Sequence, residues 1–368
     1  MECYMAYHIV LSRPFDLDGI EEAAADDQKP RHALWALRQQ LHAQVHQPDQ
    51  KQVTVHDKIL SKIIGQPEHW ALARCLMPYL GDNDVVFCAG EDVGLPLAIL
   101  AGWKQARTKF VVSVMAPDRS RVRGVLKMFN LQHHIPTFVV NTQRKAKSLM
   151  DWLSLPSDRI CILPEQTDVR FFTPGACLAD KKRPLIASGG LEQRDYQTLA
   201  VATSDLDVDV HICAVSPNAS SNTRVSLPDP VPSYMTMQHY DWPDLRQLYR
   251  DADVVVVSLL PNDYSAGLTT LIEAMACRRP VIMTRTPGLA EELIAEGVVL
   301  GIPPLNPEAL SASIRWLLSD RSFADTLAQR GYEAVMQRFT SENHVQYLAN
   351  YIQQVASPEV ARQEMLSA

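Results

Sequence analysis

Two α/β domains, each built on a doubly wound parallel sheet, are the fold class that this sequence predicts. The chain has 368 residues, and at roughly 150 residues per domain that length suggests two domains. Short apolar runs alternate along it with amphipathic helical stretches, the pattern of β-α-β units. Some runs, such as Val254–Val257, are apolar throughout, as strands covered on both faces are.

In chain order, strands are expected at 7–12, 85–88, 110–115, 137–140 and 160–163, then at 185–188, 208–214, 253–259, 281–284 and 298–300. The stretch 16-DLDGIEEAAADDQKP-30 is acidic and has no clear period, and is expected to be a mobile loop. Residues 119–129 read as a helix with Val122, Val125, Leu126 and Phe129 on one face and Arg119, Arg121, Arg123 and Lys127 around it. The segment 171-FFTPGACLADKKRP-184, with two prolines, a glycine and a basic triplet, has the composition of an exposed linker. It places a boundary near Pro174, giving domains 1–173 and 174–368, the second ending in a helix over 342–360.

Composition narrows the function. Hydrophobic residues make up 46% and charged residues 21%, so the chain can bury an ordinary core and wholesale disorder is excluded. With 35 basic against 42 acidic residues the net charge is −7, which argues against a broad nucleic-acid-binding face. Seven cysteines stand singly with no C-x-x-C, the pattern of reduced cytosolic thiols and not of a disulfide framework or zinc site. No basic leader opens the chain, and no apolar run reaches the roughly 18 residues of a membrane span. A cytoplasmic protein is expected.

In doubly wound sheets ligands bind beyond the C-terminal ends of the strands, and two such sheets in tandem make the cleft between them the expected site. The most informative stretch reads 261-PNDYSAGLTTLIEAMACRRPVIMTRTPGLAEEL-293: glycine loop, helix, strand. Ser265, Ala266, Gly267, Leu268 and Thr269 lead into a helix expected to begin near Thr270. Unpaired N–H groups and the helix dipole there favour an anion such as a diphosphate, and glycine lets the backbone approach it. Glu273, one turn further on, is within reach of a ribose diol. Thr270-x-x-Glu273 also fits a capping box that only closes the helix start, the reading that spacing alone favours.

This segment resembles the nucleotide-sugar motif of family 4 retaining glycosyltransferases, which have the GT-B architecture of two facing Rossmann-like domains. The family form is Glu-x7-Glu, then Ala-Met-Ala, a small residue, Pro-Val-Ile/Val, and a Gly preceding an acidic residue. The chain has Glu273-Ala274-Met275-Ala276, Pro280-Val281-Ile282, and Gly288 followed by Glu291. The resemblance makes Glu273 the ribose ligand. Ser265 stands where the family has its first Glu, in a loop similar to that of a bacterial subgroup with Ala-Gly-x-Thr there. Asp263 is the expected stand-in on the donor sugar.

Other segments agree in order. The run 187-ASGGLEQRDYQTLAVA-202 resembles the first strand and loop of the donor domain, where the family has an Arg and then a Lys on the donor phosphates. Gly190 occupies the Arg position and Arg194 falls near the Lys. A solvated arginine paired to Asp195 or Glu192 is the ordinary alternative. Ser216, in 212-ICAVSPN-218, sits where the family has a nucleotide-proximal loop. In 239-HYDWPDLRQLYRDADVVVV-257, Tyr240 or Trp242 either packs on the base or belongs to the core. The run 158-DRICILPEQTDVRFF-172 matches the family's interdomain strand and its Asp-x-x-x-Phe ending at Asp168 and Phe172.

The first half says less. After the strand at 85–88, 89-AGEDVGLPLAIL-100 reads as a loop and helix start with Pro96 in the first turn. Glu91 and Asp92 either point into the cleft or cap that helix. Where the family has a cleft His, 113-SVMAPDRS-120 offers Met115 and Asp118. His42 and His46 have i, i+4 spacing on an expected helix but no third ligand, so no metal site is expected. The helix over 119–129 is an ordinary surface helix or, by resemblance to relatives that glycosylate membrane lipids, a patch that meets anionic lipid.

The resemblance therefore implies a retaining hexosyltransferase. It would move a sugar from a nucleoside diphosphate donor to a hydroxyl on a lipid, polysaccharide or small molecule, with peripheral contact to an anionic membrane. Arg194, Asp263 and Glu91 form the expected catalytic set. Glu273, Gly267, Leu268, Thr269, Ser265, Ser216 and Tyr240 are expected around the nucleotide, with no metal. The alternatives are a nucleotide-sugar epimerase of the same architecture and a nucleotide-binding or partner protein that kept the fold and lost turnover.

Overall fold

The computed structural model describes residues 5–178, 180–214, 224–264 and 266–356. They belong to two compact units, one of Met1–Gly19, His32–Pro164 and Glu342–Ala368, the other of Ile20–Arg31 and Glu165–Ser341.

From the N-terminus come β1 (Tyr7–Val10), α1 (Leu17–Ala25), α2 (Ala33–Leu41), β2 (Gln44–His46), α3 (Val55–Leu60), α4 (Pro67–Leu76) and β3 (Val85–Cys88). Then follow α5 (Glu91–Lys104), β4 (Lys109–Ser113), α6 (Ser120–Met128), β5 (Thr137–Val140), α7 (Gln143–Leu153) and β6 (Ile160–Ile162). The strands pair in parallel in the order β2-β1-β3-β4-β5-β6. Their side chains alternate between two buried faces. Val86, Cys88, Phe110 and Val112 pack with Trp70 of α4, Leu97 of α5 and Leu126 of α6. Ile9, Val85, Phe87 and Val111 pack with Leu37 and Leu41 of α2 on the other side.

The second unit begins with β7 (Leu185–Gly189), β8 (Arg194–Asp195), α8 (Tyr196–Thr203), β9 (Asp209–Cys213), β10 (Val225–Ser226), β11 (Met235–Gln238), α9 (Trp242–Asp251) and β12 (Val254–Val257). It continues with α10 (Leu268–Ala276), β13 (Val281–Thr284), α11 (Leu289–Ala295), β14 (Leu300–Ile302), α12 (Pro307–Ser319) and α13 (Arg321–Arg338), and α14 (Ser341–Ala356) ends the described chain. The large sheet is parallel in the order β11-β9-β7-β12-β13-β14, with β8 and β10 forming a short ribbon apart. The chain builds outward from β7 in one direction and from β12 in the other, so the switch point lies between those two strands.

All ten expected strands are present, with β14 two residues later than its expected start. Four expectations are corrected. The acidic stretch 16–30 is not a loop throughout, because α1 occupies its first half. His42 caps the end of α2 in a left-handed conformation and His46 lies in β2, so the two do not share a helix. Pro96 sits well inside α5, which starts at Glu91. The units change at 164/165 and not near Pro174.

That last correction has a clear cause. Thr167 bridges Thr340, and its N–H donates to the Phe339 carbonyl at 2.9 Å. Phe171 and Phe172 are buried in the second unit's core. Asp168 holds Arg31, and Arg246 grips Asp27 through two bonds of 2.6 and 2.7 Å, which ties residues 20–31 to the same unit. The linker-like composition of 171–184 marks an exposed loop inside the unit. The terminal helix, whose packing the sequence leaves open, joins the first unit: Val345, Leu348, Ala349 and Ile352 of α14 are core residues there.

Candidate functional site

At the switch point of the second unit, α10 begins at Leu268, two residues earlier than Thr270. Its N-cap is Gly267, at φ 76°, and no side chain caps the helix start. A side chain there would place its Cβ 2.6 Å from Cγ1 of Val257 and 3.1 Å from Nη1 of Arg194. The position therefore needs glycine for its left-handed backbone and for room. Thr270 lies inside the first turn, which removes the capping box. Its hydroxyl donates to the Gly189 carbonyl at 3.3 Å and accepts from Arg194 Nη2 at 3.2 Å.

Glu273 is 6% exposed, and its side chain is bonded by α9. The hydroxyl of Tyr249, a fully buried residue of α9, donates to Glu273 Oε2 at 3.1 Å. Burial pushes the Glu273 carboxyl up to about 8. The same environment holds the Tyr249 phenol well above its ordinary value, by burial first and then by the neighbouring carboxyl.

Arg194 is 4% exposed, so it is not the solvated arginine of the ordinary alternative. Its backbone leads from the Gly189-Gly190 turn into the ribbon of β8, and the side chain folds back over that turn. Nε donates to the Gly189 carbonyl at 2.6 Å and Nη1 to the Glu192 carbonyl at 2.9 Å. Neither nearby carboxylate is its partner. Asp195 caps α8 through the Thr198 N–H and hydroxyl, at 3.0 and 2.6 Å. Glu192 accepts from the Tyr264 hydroxyl at 2.7 Å. Gly190, at φ 88°, leaves the space the guanidinium fills, since a Cβ there would meet Arg194 Nη2 at 2.6 Å. Among the described residues Arg194 forms no ion pair, whereas Lys181 is paired to Asp253 at 2.8 Å and Arg285 to Glu291.

A buried, unneutralised cation thus lies against the N-terminus of a helix whose dipole is also positive there. Two positive ends in one dry corner are unfavourable without an anion, and a guanidinium can grip two oxygens of a phosphate. Leu268 lines the start of α10 buried and Thr269 is exposed beside it. Asp263 is exposed in the loop that follows β12. Tyr240 and Trp242 both pack on the second unit's core, Trp242 edge-on to Phe172 at 6.4 Å. Ser216 and Ser265 lie outside the described residues. Tyr249 escaped sequence reading: nothing in its helix spacing signals a partner in α10.

Glu91 belongs to the first unit, where one carboxylate oxygen accepts from the Met115 N–H at 2.8 Å and anchors the loop after β4. Asp92 accepts from the Ser12 hydroxyl at 2.7 Å and lies 3.8 Å from His69 Nε2. His69 is spent on backbone, with Nδ1 accepting from Gln66 N–H at 3.0 Å and Nε2 on the Ser12 carbonyl at 2.9 Å. Among the described residues no group of three or more His, Cys, Asp or Glu side chains is placed to hold a metal, and no helix is long and apolar enough to cross a membrane. On α6, Arg121 is bound to the carbonyls of Ser61, Lys62 and Ile63, and Arg123 to Asp118 at 2.6 Å.

Two parallel-sheet α/β domains are the architecture of GT-B glycosyltransferases. Residues 194–320 match the family Glycosyl transferases group 1. Over 99 residues the chain is 29% identical to an uncharacterized glycosyltransferase of Methanocaldococcus jannaschii, a stretch that covers 27% of this chain and only a quarter (25%) of that relative. Among solved structures, HepE of Anabaena in complex with UDP and glucose superposes with a TM-score of 0.65 at 16% identity, over 95% of this chain and 100% of that one. The sucrose-phosphate synthase of Thermosynechococcus elongatus gives 0.66 at 17%, over 99% and 100%. The α,α-trehalose 6-phosphate synthase of Burkholderia multivorans gives 0.67 at 12%, over 96% and 100%. At these identities the solved structures speak for the fold, while the matched domain and the curated relative support a glycosyltransferase.

Proposed function

We propose that this protein transfers a sugar, with retention of configuration, from a nucleoside diphosphate sugar to a hydroxyl acceptor. The observation that carries the proposal is Arg194: buried, without a carboxylate partner among the described residues, and set against the start of α10. Breaking the glycosidic bond leaves growing negative charge on the β-phosphate, and a fixed cation already oriented toward it stabilises that charge most where water is excluded. The departing phosphate oxygen takes the acceptor proton on the donor's own face, so the reaction needs neither an enzymic nucleophile nor a metal. Glu273 receives the ribose diol on this reading. UDP is the first nucleotide to try, because the Anabaena structure holds it. Contact of α6 with anionic lipid enters the proposal only through Arg119 and Lys127, since Arg121 and Arg123 are engaged within the unit.

The test is nucleotide release from a panel of nucleotide-sugars, with cell extract as acceptor source, for the parent, Arg194→Ala and Arg194→Lys. Removing the guanidinium is expected to lower turnover roughly a hundredfold or more, and lysine to restore part of it. The alanine variant also strands the Gly189 and Glu192 carbonyls, so melting temperature is followed beside turnover. Near-normal turnover in Arg194→Ala would mean that another cation holds the phosphates. Nucleotide binding by the parent without release from any donor would favour a binding protein.

A further inference from the structure

A cavity of about 650 Å³ opens in the first unit at the N-terminal ends of β1, β2 and β3, the rim opposite Glu91 and Asp92. Sheets of this kind bind their usual ligands beyond the C-terminal ends, so this cavity needs its own account. Its floor is a hydrogen-bonded chain of three side chains. Asp84 accepts from the N–H groups of Ala6 and Gly81 at 2.9 and 2.7 Å and faces His8 Nε2 at 3.3 Å. His8 Nδ1 lies 3.0 Å from His46 Nε2. His8 thus uses both ring nitrogens, Nε2 toward Asp84 and Nδ1 toward His46, and His46 uses Nε2 for that contact. That leaves His46 Nδ1 with no partner among the described residues, a donor or an acceptor according to the tautomer. Burial, and then the nearby His8, push His46 down to about 4, so its ring is neutral around pH 7.

The walls narrow the ligand class. The charged lining groups among the described residues are Asp82 and Asp84, with no lysine or arginine, which disfavours phosphates and other anions. Asp84 is already satisfied within the chain, so there is little to hold a dication. Carboxamides of Gln44, Gln47 and Asn83, able to donate and accept, share the lining with His46, the Gln47 oxygen already accepting from the Phe15 N–H at 3.0 Å. Tyr79, 82% exposed, stands at the lining as a flat apolar ring. The volume falls within the roughly 300–1,000 Å³ of small-molecule sites. We propose that this cavity is a separate binding site for a neutral carbohydrate, its hydroxyls met by His46 and the carboxamides and its C–H face laid on Tyr79.

The experiment follows the histidine ring signals of the full chain by NMR during titration with glucose, maltose and cellobiose, and with spermidine and UDP for comparison. The His46 signals, assigned by their loss in His46→Gln, are expected to move with at least one sugar and not with UDP. Tyr79→Ala and Asn83→Ala, both at exposed positions, are expected to weaken that sugar's affinity, Tyr79→Ala by roughly tenfold. The proposal is overturned if no sugar moves the His46 signals up to its solubility limit, if spermidine moves them and sugars do not, or if both exposed variants keep the parent affinity. Neither donor nor turnover enters the measurement, so its failure leaves the Arg194 reading standing, and the reverse.

Discussion

Gly189 lies against both Arg194 and the Tyr249–Glu273 pair. Its carbonyl takes Arg194 Nε and the Thr270 hydroxyl, and a Cβ there would sit 3.4 Å from the Tyr249 hydroxyl that donates to Glu273. The carboxyl titrates near 8 in the fold and near 4.3 in an unfolded chain. The folded state keeps a proton that the unfolded state loses, so this contribution to stability is complete in acid and is lost as pH rises from about 4 to about 8. Glu273→Gln, which keeps an acceptor for Tyr249, is therefore expected to match the parent in acid and to out-melt it above pH 8. The gain should exceed about 1.4 kcal/mol, the worth of one pKa unit. A pH-independent difference in melting temperature would mean that the carboxyl is already ionised in the fold at neutral pH. Nucleotide binding gives a second reading of the same proton. Glu273→Ala should weaken UDP by about 0.5–1.5 kcal/mol while the carboxyl is neutral and by about 1.5–3 kcal/mol once it is charged. Calorimetric titration on both sides of pH 8 checks this, and unchanged affinity at both would leave Glu273 as a structural partner of Tyr249 alone.

At the scale of the element, α10 is where local spacing misled. Thr270-x-x-Glu273 has the letters of a capping box, but a left-handed glycine three residues upstream starts the helix instead. A motif names which residues lie a turn apart and not which residue opens the turn. Gly267→Ala tests the consequence. A left-handed alanine costs about 1–2 kcal/mol, and its Cβ would press on Val257 and on the Arg194 guanidinium. The variant is expected to melt lower and to bind UDP more weakly, read by thermal denaturation and by titration. If both stay at parent values, Arg194 does not depend on a bare backbone at this position. The same limit of local reading explains α6. Its apolar face was legible from period, but the engagement of Arg121 with the carbonyls of 61–63 was not, because it spans about sixty residues of chain.

For the whole molecule, the long-range element is α14, which follows the second unit in sequence and completes the core of the first. Leu348→Ala is expected to cost about 2–5 kcal/mol and to loosen the first unit selectively. Hydrogen exchange should quicken in β1 and β3 while β7 and β12 keep their protection. Equal loss in all four strands would mean that the helix supports both cores. The sequence by itself determined the two parallel sheets, the ten main strands, the glycine loop and the helix that carries Glu273, because apolar period and glycine placement act over a few neighbouring residues. Gln44–His46 escaped because a strand of three residues has no period to read. Only the tertiary structure decided that residues 165–172 and α14 exchange units, that Arg194 is buried without a carboxylate, that Tyr249 meets Glu273, and that His8, His46 and Asp84 form one chain. Each of these rests on contacts between distant segments or on what a side chain does not touch, and neither leaves a mark in local composition.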